Sequence, residues 1–224
     1  MLTRRSAVYM FYNLFDLSHT KAGEYLKSFD YPWQALKWLE GCILTLSRSL
    51  SQNYRQISEG VFVHKSAKIA ATAQVCAPCI IGEGTEIRHC AFIRGSALIG
   101  KYCVVGNSTE IKNSVLFDGV QVPHFNYVGD SILGRGAHLG AGAITSNVKS
   151  DRSPVDVRDG QNVIHTNLIK LGAMVGDYAE IGCNTVLNPG AVVGRGATVY
   201  PLSNVRGTVP ENCIYKGGEV TPKK

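Results

Sequence analysis

From Val63 onward an aliphatic residue returns at every sixth position: Val63, Ile69, Val75, Ile81, Ile87, Ile93, Ile99, Val105 and Ile111. Four residues after each stands a small or β-branched residue, as in Ala67, Ala73, Cys79, Thr85, Ala91, Ala97, Cys103, Thr109 and Val115. A period of six matches neither the 3.6 of an amphipathic helix nor the 2 of an ordinary strand. It fits a solenoid whose triangular coil takes three hexads, with the aliphatic residue pointing inward and the small one packed near a corner. Glycines such as Gly82, Gly100 and Gly106 then ease the turns. Stacked coils pair by parallel ladders about 4.8 Å apart.

The register slips twice. Ile111 to Val115 and Val128 to Ile132 are five-residue rungs, with hexads restarting at Leu116 and Leu133. No clean hexad occurs over 145–168, yet the frame resumes at Ile169, Val175, Ile181, Leu187, Val193, Val199 and Val205. A frame shared across the gap predicts one continuous solenoid over 61–210 with a loop extruded around 148–168, and a C-terminal tail over 211–224. Within the gap Asp151–Gln161 is polar, holds Pro154 and Gly160, and reads as surface loop.

Composition separates the first 60 residues from the rest. They hold 10 of the 19 aromatic residues but only three of the 24 glycines. Asp30-Tyr31-Pro32 reads as a helix start, and Leu36, Leu39, Ile43, Leu46 and Leu50 follow as one apolar stripe. Solenoids expose apolar coil ends that need covering, so residues 1–60 are expected to form a helical cap on the end of the prism. Thr3-Arg4-Arg5 precedes an apolar stretch from Ala7 to Phe15, but Asn13 and Asp16 interrupt it and no small-residue cleavage site follows. Seven cysteines in no small-scaffold pattern favour free thiols in a reducing compartment, the cytoplasm. The net charge of +6 is spread along the chain without a basic run, which argues against nucleic acid as a partner, and the composition is not that of a membrane-spanning chain.

Cys76-Ala77-Pro78-Cys79 has the C-x-x-C spacing of zinc and redox sites. The hexad frame offers a structural reading instead, because Cys79 falls at a small inward position and no second pair completes a zinc site. The histidines, His19, His64, His89, His124, His138 and His165, form no H-x4-H pair, and no metal is expected. His124 is different. It sits in Val122-Pro123-His124-Phe125-Asn126-Tyr127-Val128-Gly129-Asp130, bracketed by the two short rungs, and Asn126 takes a position elsewhere held by small residues. Local rules broken together mark functional sites, and a neutral imidazole is a natural general base. The plainer alternative is a surface histidine on a turn.

Four segments carry a resemblance: Phe92-Ile93-Arg94-Gly95; Val105-Gly106-Asn107 with Glu110-Ile111-Lys112; His124-x-x-Tyr127-x-Gly129-Asp130; and Gly140-Ala141-Gly142-Ala143-Ile144-Thr145-x-Asn147. Over about residues 63–216 the chain resembles the left-handed β-helix acetyltransferase domain of the bifunctional bacterial enzyme that makes UDP-N-acetylglucosamine, and its archaeal sugar-phosphate relatives. The resemblance implies a mainly β fold, a left-handed parallel β-helix of hexapeptide repeats, behind the N-terminal α-helical segment. It implies an acetyl-CoA-dependent N-acetyltransferase acting on an aminosugar phosphate or a nucleotide-linked aminosugar in nucleotide-sugar biosynthesis. His124 would be the base that helps the amino group attack the thioester. Arg94 and Lys112 would hold the phosphate, Tyr127 would orient the sugar, Asn147 would hydrogen-bond the acceptor or acyl group, and His138 would be a further substrate-binding residue. Acetyl-CoA would run past Ala141, Gly182 and Cys183, between subunits of a homotrimer.

The sequence also departs from the pattern. Gly95 follows Arg94 where a proline is expected, Asn113 replaces a second lysine, His138 replaces an asparagine, and Val148-Lys149 replaces Tyr-Asp. The loop lysines are unaligned, with Lys149, Arg152 and Arg158 as stand-ins. Arg94 and Lys112 keep an alternative as solvated surface. The first 60 residues hold no Gly-rich nucleotide loop, so no intrinsic nucleotidyltransferase activity is expected. The second functional reading is a non-catalytic trimeric partner or regulatory subunit of a separate sugar nucleotidyltransferase.

Overall fold

In a computed structural model, which describes residues 11–159 and 162–224, the hexads wind into a parallel β-solenoid with three faces. One coil runs from Val61–His64 on the first face to Lys68–Ile69 on the second and Gln74–Val75 on the third, and returns to the first at Cys79–Ile81. Inward residues stack in register from coil to coil. On the first face the column is Val63, Ile81, Ile99, Leu116, Leu133, Val175, Val193 and Val209. The small residues Ala67, Ala91, Cys103, Ala137, Ala179 and Ala197 belong to the same core. Val175 follows Leu133 directly in the ladder, so the solenoid is continuous across the excursion.

The two short rungs have a structural meaning. Arg94-Gly95-Ser96 makes the ordinary corner from the third face to the first, whereas Lys112-Asn113 and Gly129-Asp130 make it with one residue fewer. Asn113 and Asp130 take φ of 46° and 48° there, a left-handed conformation that Asn and Asp tolerate best among residues with a side chain.

Residues 11–60 correct one expectation. They lie along the first face of the prism rather than over its end. The strands of that face are apolar on both sides: Ile80, Leu98, Val115, Ile132, Met174 and Val192 point outward and are buried in a second core that Leu14, Phe15, Leu26, Trp33, Leu36, Leu39 and Ile43 share. A sheet face of that composition has to be covered. The Phe15 and Phe117 ring centroids lie 5.3 Å apart in the joint. Polar clamps fix the segment, for Asp177 accepts the Asp16 N–H at 2.7 Å and the Arg135 N–H at 2.8 Å, with Arg195 at 3.3 Å. The expected helix breaks at Lys37-Trp38 into Pro32–Leu36 and Leu39–Ser47. Tyr54–Ser58 then pairs antiparallel with Val61–His64. The triplet Thr3-Arg4-Arg5 lies outside the described residues.

The extruded span is not an irregular loop but a β-hairpin, Val155–Asp159 with Asn162–Leu168. Val155 and Val157 alternate with Asp156 and Arg158 and are buried against the outward first face, a period-two pattern that a polar reading of the span overlooks. Gly190 permits the approach: a Cβ there would lie 2.8 Å from the Asp156 carbonyl oxygen. The C-terminal tail is likewise a hairpin, Cys213–Lys216 with Glu219–Pro222, which extends the second face beyond Thr198–Val199.

If the helical segment is seated as described, Phe117→Ala lowers unfolding stability by about 3–5 kcal/mol, while Phe92→Ala, on the open third face, costs under about 1 kcal/mol. Urea denaturation of both variants checks this, and equal losses would count against the helical segment as a packed layer.

Candidate active site

The third face carries the chemistry. Its outward positions run in two columns along the ladder, one through Gln74, Phe92, Glu110, Tyr127, Ile144 and Val186, the other through Cys76, Arg94, Lys112, Gly129, Ser146 and Asn188. Arg94 and Lys112 are therefore neighbours on adjacent strands, as are Glu110 and Tyr127. Each cation already faces a carboxylate. Arg94 Nη1 donates to Glu110 Oε1 at 2.7 Å, a bond that raises the Arg94 pKa further. Lys112 Nζ donates to both oxygens of Asp130, at 3.1 and 2.9 Å.

Asp130 is the hub. Its side chain is 5% exposed, and it also accepts from Asn113 Nδ2 at 2.8 Å and from Asn147 Nδ2. Asn147 Nδ2 donates in addition to the Tyr127 hydroxyl at 3.2 Å. Gly129 explains how the tyrosine gets there: a Cβ at that position would lie 2.5 Å from the Tyr127 hydroxyl oxygen and 2.8 Å from ring carbons. The ring thus lies flat across Gly129, the physical content of Tyr-x-Gly-Asp. Burial first, then the Asp130 and Glu110 carboxylates, push the Tyr127 phenol pKa upward.

His124 stands at the edge where the second face turns into the third. Its imidazole is exposed and its backbone is held on both sides. The His124 N–H donates to Asn126 Oδ1 at 3.1 Å, and the Gly142 N–H donates to the His124 carbonyl at 3.0 Å. Asn126 is buried, and its Nδ2 donates to the carbonyls of Gly140 and Ala143 at 2.8 and 3.0 Å. A polar residue in a hexad's small position is thus satisfied by bonds that fix the turn. Thr145, in the inward aliphatic column, is satisfied likewise, accepting the Gly129 N–H at 2.9 Å.

Ala141 and Cys183 stack above His124 on the same edge in successive coils, through Gly142 N–H to His124 O and Asn184 N–H to Ala141 O. Gly182 adjoins them, and a Cβ there would strike the Pro201 backbone at 2.3 Å. His138 is placed apart from Tyr127 and Asn147: it lies on the second face, paired with Glu180 at 2.8 Å. The sequence reading gave no role to Glu110, Asn113 or Asp130. The available signal was the pair of short rungs, whose corners are Asn113 and Asp130. Among the described residues no group of three or more His, Cys, Asp or Glu is arranged to hold a metal ion, and no helix is long and apolar enough to cross a membrane.

Residues 57–166 match the family model described as the GMPPB C-terminal domain. A bifunctional sugar-1-phosphate nucleotidylyltransferase/acetyltransferase of Sulfurisphaera tokodaii is 33% identical over 103 residues, 46% of this chain and 26% of that protein. The bifunctional protein GlmU of Brevibacillus brevis is 36% identical over 102 residues, 46% of this chain and 18% of that protein. The chain resembles the bifunctional nucleotidylyltransferase/acetyltransferases. This bears out the resemblance drawn from the motifs, while the chain spans about a quarter of the length of the curated relatives it matches. Among solved structures, the acetyltransferase domain of PglB from Neisseria gonorrhoeae aligns with a TM-score of 0.38 at 20% identity, over 73% of this chain and 57% of that one.

Two outcomes follow from this geometry. Asp130→Ala strips the acceptor from Lys112, Asn113 and Asn147 and lowers stability by about 3–5 kcal/mol, whereas Asp130→Asn costs less; thermal and urea unfolding compare them. Native alkylation at pH 8 labels the exposed Cys90 and Cys183 first. Buried Cys42, Cys79 and Cys103 stay unlabelled, since burial raises all three thiols, Cys42 to about 11 and Cys103 to about 12. Label on Cys79 without unfolding would contradict the closed core.

Proposed function

We propose that this chain is an acetyl-CoA-dependent N-acetyltransferase that acts, as a homotrimer, on a phosphorylated or nucleotide-linked aminosugar. The observation that carries the reading is the joint arrangement of His124, on a clamped edge, with Tyr127, Asn147, Asp130, Lys112 and Arg94 on the face beside it. In this mechanism the His124 imidazole removes a proton as the acceptor's amino nitrogen attacks the thioester carbonyl. The C–N bond forms, the C–S bond breaks, and CoA leaves as the thiol. Tyr127 and Asn147 hold the sugar; Asn147 donates to the Tyr127 hydroxyl and is itself held by Asp130. The Gly129 clearance lets the phenol lie against the face.

Acetyl-CoA would run along the edge formed by Ala141, Gly182 and Cys183, where a backbone N–H would supply the donor for a tetrahedral oxyanion. A site shared between subunits accords with His124 standing at an edge, exposed, with its cosubstrate edge facing outward. The second reading, a non-catalytic trimeric partner of a separate nucleotidyltransferase, draws on one observation: Arg94 and Lys112 are each neutralised by a carboxylate in the free chain.

The deciding assay follows thiol release from acetyl-CoA with glucosamine-1-phosphate, galactosamine-1-phosphate and nucleotide-linked aminosugars as acceptors. His124→Ala is expected to lower kcat by about 10²–10⁴-fold with little change in unfolding midpoint. No turnover of any acceptor by the wild-type chain would favour the partner reading, and a monomer by light scattering would rule out the shared site.

A further inference from the structure

We infer that the cleft beneath the hairpin is an anion site of its own, separate from the third-face site, which takes a phosphate dianion either free or carried on a small metabolite. The cleft, of about 340 Å³, opens at the corner between the third and first faces and is lined by Lys149, Asp156, Arg158, Asn188 and Arg206 among others. Three stretches of chain build it. Lys149 follows the third-face strand Ile144–Thr145, Arg158 belongs to the hairpin, and Arg206 follows Asn204–Val205 in a later coil. The walls are fixed from behind. Val155 and Val157 of the hairpin are buried in the second core, and the Arg158 carbonyl accepts the Thr208 hydroxyl at 2.8 Å, which seats the hairpin strand beside Arg206. The Asn188 side-chain amide is spent on the wall, donating to the Val205 carbonyl at 2.8 Å and to Asn204.

The cations of the cleft find little to bind within the protein. Asp156 is the one carboxylate among the lining residues, and it is divided between Arg158 at 3.5 Å and His165 at 2.9 Å. Lys149 Nζ is engaged by the neutral oxygens of Ser153 and Pro154, which leaves one of its three ammonium hydrogens. Asp151, within Coulomb reach of Lys149, spends its hydrogen bonds on Ser153. Among the described residues the Arg206 guanidinium has neither an ion pair nor a hydrogen bond. Lys149, Arg158 and Arg206 set against Asp156 give the lining a formal charge of +2, and a phosphate monoester carries about −1.5 to −2 at pH 7. Three like charges gathered in one cleft repel each other; a dianion between them replaces that repulsion with charge-assisted bonds, for which guanidinium forks are well shaped. The volume lies at the lower end of the range for small-ligand pockets, which suits a phosphate with a small organic group attached.

Distance separates this site from the one around Tyr127. Arg206 continues the outward column of Arg94, Lys112 and Gly129 through Ser146 and Asn188, so it lies three ladder steps beyond Gly129, about 14 Å. Arg94 and Lys112 lie on the other side of Gly129 in that column. A ligand held by them and by Tyr127 is directed away from the cleft, and the two anion sites are filled independently. The hairpin is what makes the second one, because it brings Arg158 to an Arg206 that the solenoid alone provides. The assignment needs nothing from the acetyl-transfer reading, in which Arg94 and Lys112 keep their place.

The test is calorimetric titration of the full chain with inorganic phosphate and with glucose 1-phosphate at roughly physiological salt, about 150 mM. Both are expected to bind. Arg206→Ala weakens inorganic phosphate by about tenfold and Arg158→Ala/Arg206→Ala by about 100-fold, as loss of one and two charge-assisted contacts implies, while Arg158→Lys/Arg206→Lys recovers part of the affinity. Arg94→Ala leaves the cleft's affinity unchanged. Because glucose 1-phosphate also suits the third-face site, its affinity for the cleft is read in the Arg94→Ala background. Tighter binding of glucose 1-phosphate there than of inorganic phosphate supports a phosphorylated metabolite as the occupant, and equal binding supports free phosphate. Phosphate at about 100 times its Kd raises the unfolding midpoint of the wild-type chain by about 5–10 °C and that of the double alanine variant by under about 2 °C. Equal midpoints of the two proteins without phosphate separate loss of the site from loss of folding. Phosphate that binds the double alanine variant as tightly as the wild type, that binds only through Arg94, or that fails to bind at this salt overturns the inference. Acetyl transfer enters none of these measurements, so a failure of the catalytic reading and a failure of the cleft are distinguishable.

Discussion

Everything in this molecule hangs on the stacking of one coil upon the next. A two- or three-residue strand has no stability of its own, and a single coil cannot bury its inward Val, Ile and Leu side chains. Both needs are met only when the next coil arrives about 4.8 Å away in parallel register. Residues eighteen apart in the regular coils then become ladder neighbours, such as Val63 with Ile81 and Ile81 with Ile99. The same step sets the spacing of whatever the outward positions carry, so the solenoid converts a sequence period into columns of functional groups. Arg94 beside Lys112 and Glu110 beside Tyr127 are products of that conversion.

The three faces are put to different uses because their outward columns differ. The first face is apolar outward, and the chain covers it twice, with the helical segment over the early coils and with the hairpin over the later ones. The third face is polar outward and stays open, with Tyr127 lying in the space that Gly129 leaves. Where the frame is shortened at Asn113 and Asp130, the corner tightens and a carboxylate turns in among three donors. Such a buried acid is stable only while those donors remain, which ties the geometry of Lys112 and Asn147 to a defect in the repeat.

Much of this was legible in the residues. The period of six gave the solenoid, the continued frame at Val175 gave its continuity, and the broken rules around His124 located the edge that Asn126 clamps. Other parts were not legible for definite reasons. The helical segment was expected at the prism end because solenoid ends need caps, but the outward apolar column through Ile80, Leu98, Val115 and Ile132 called for cover on the side. Hexad counting attends to inward positions and passes over that column. The alternation of Val155 and Val157 was hidden in a span that is polar on average. His138 enters as a substrate residue only through the resemblance, and its ladder neighbours Gln121 and Glu180 place it on the second face.

What the sequence by itself determined is the coil: its length, its inward side chains, its small corners and the two places where a residue is missing, all of which follow from local sterics and hydrophobic periodicity. What only the tertiary structure decided is the electrostatics. Whether Arg94 and Lys112 are free cations, and whether Lys149, Arg158 and Arg206 converge, depends on groups far apart along the chain, brought within hydrogen-bonding range by stacking and by the hairpin. Coulomb interactions fall with distance through space rather than along the sequence, so Glu110 and Asp130 could neutralise Arg94 and Lys112 from neighbouring strands.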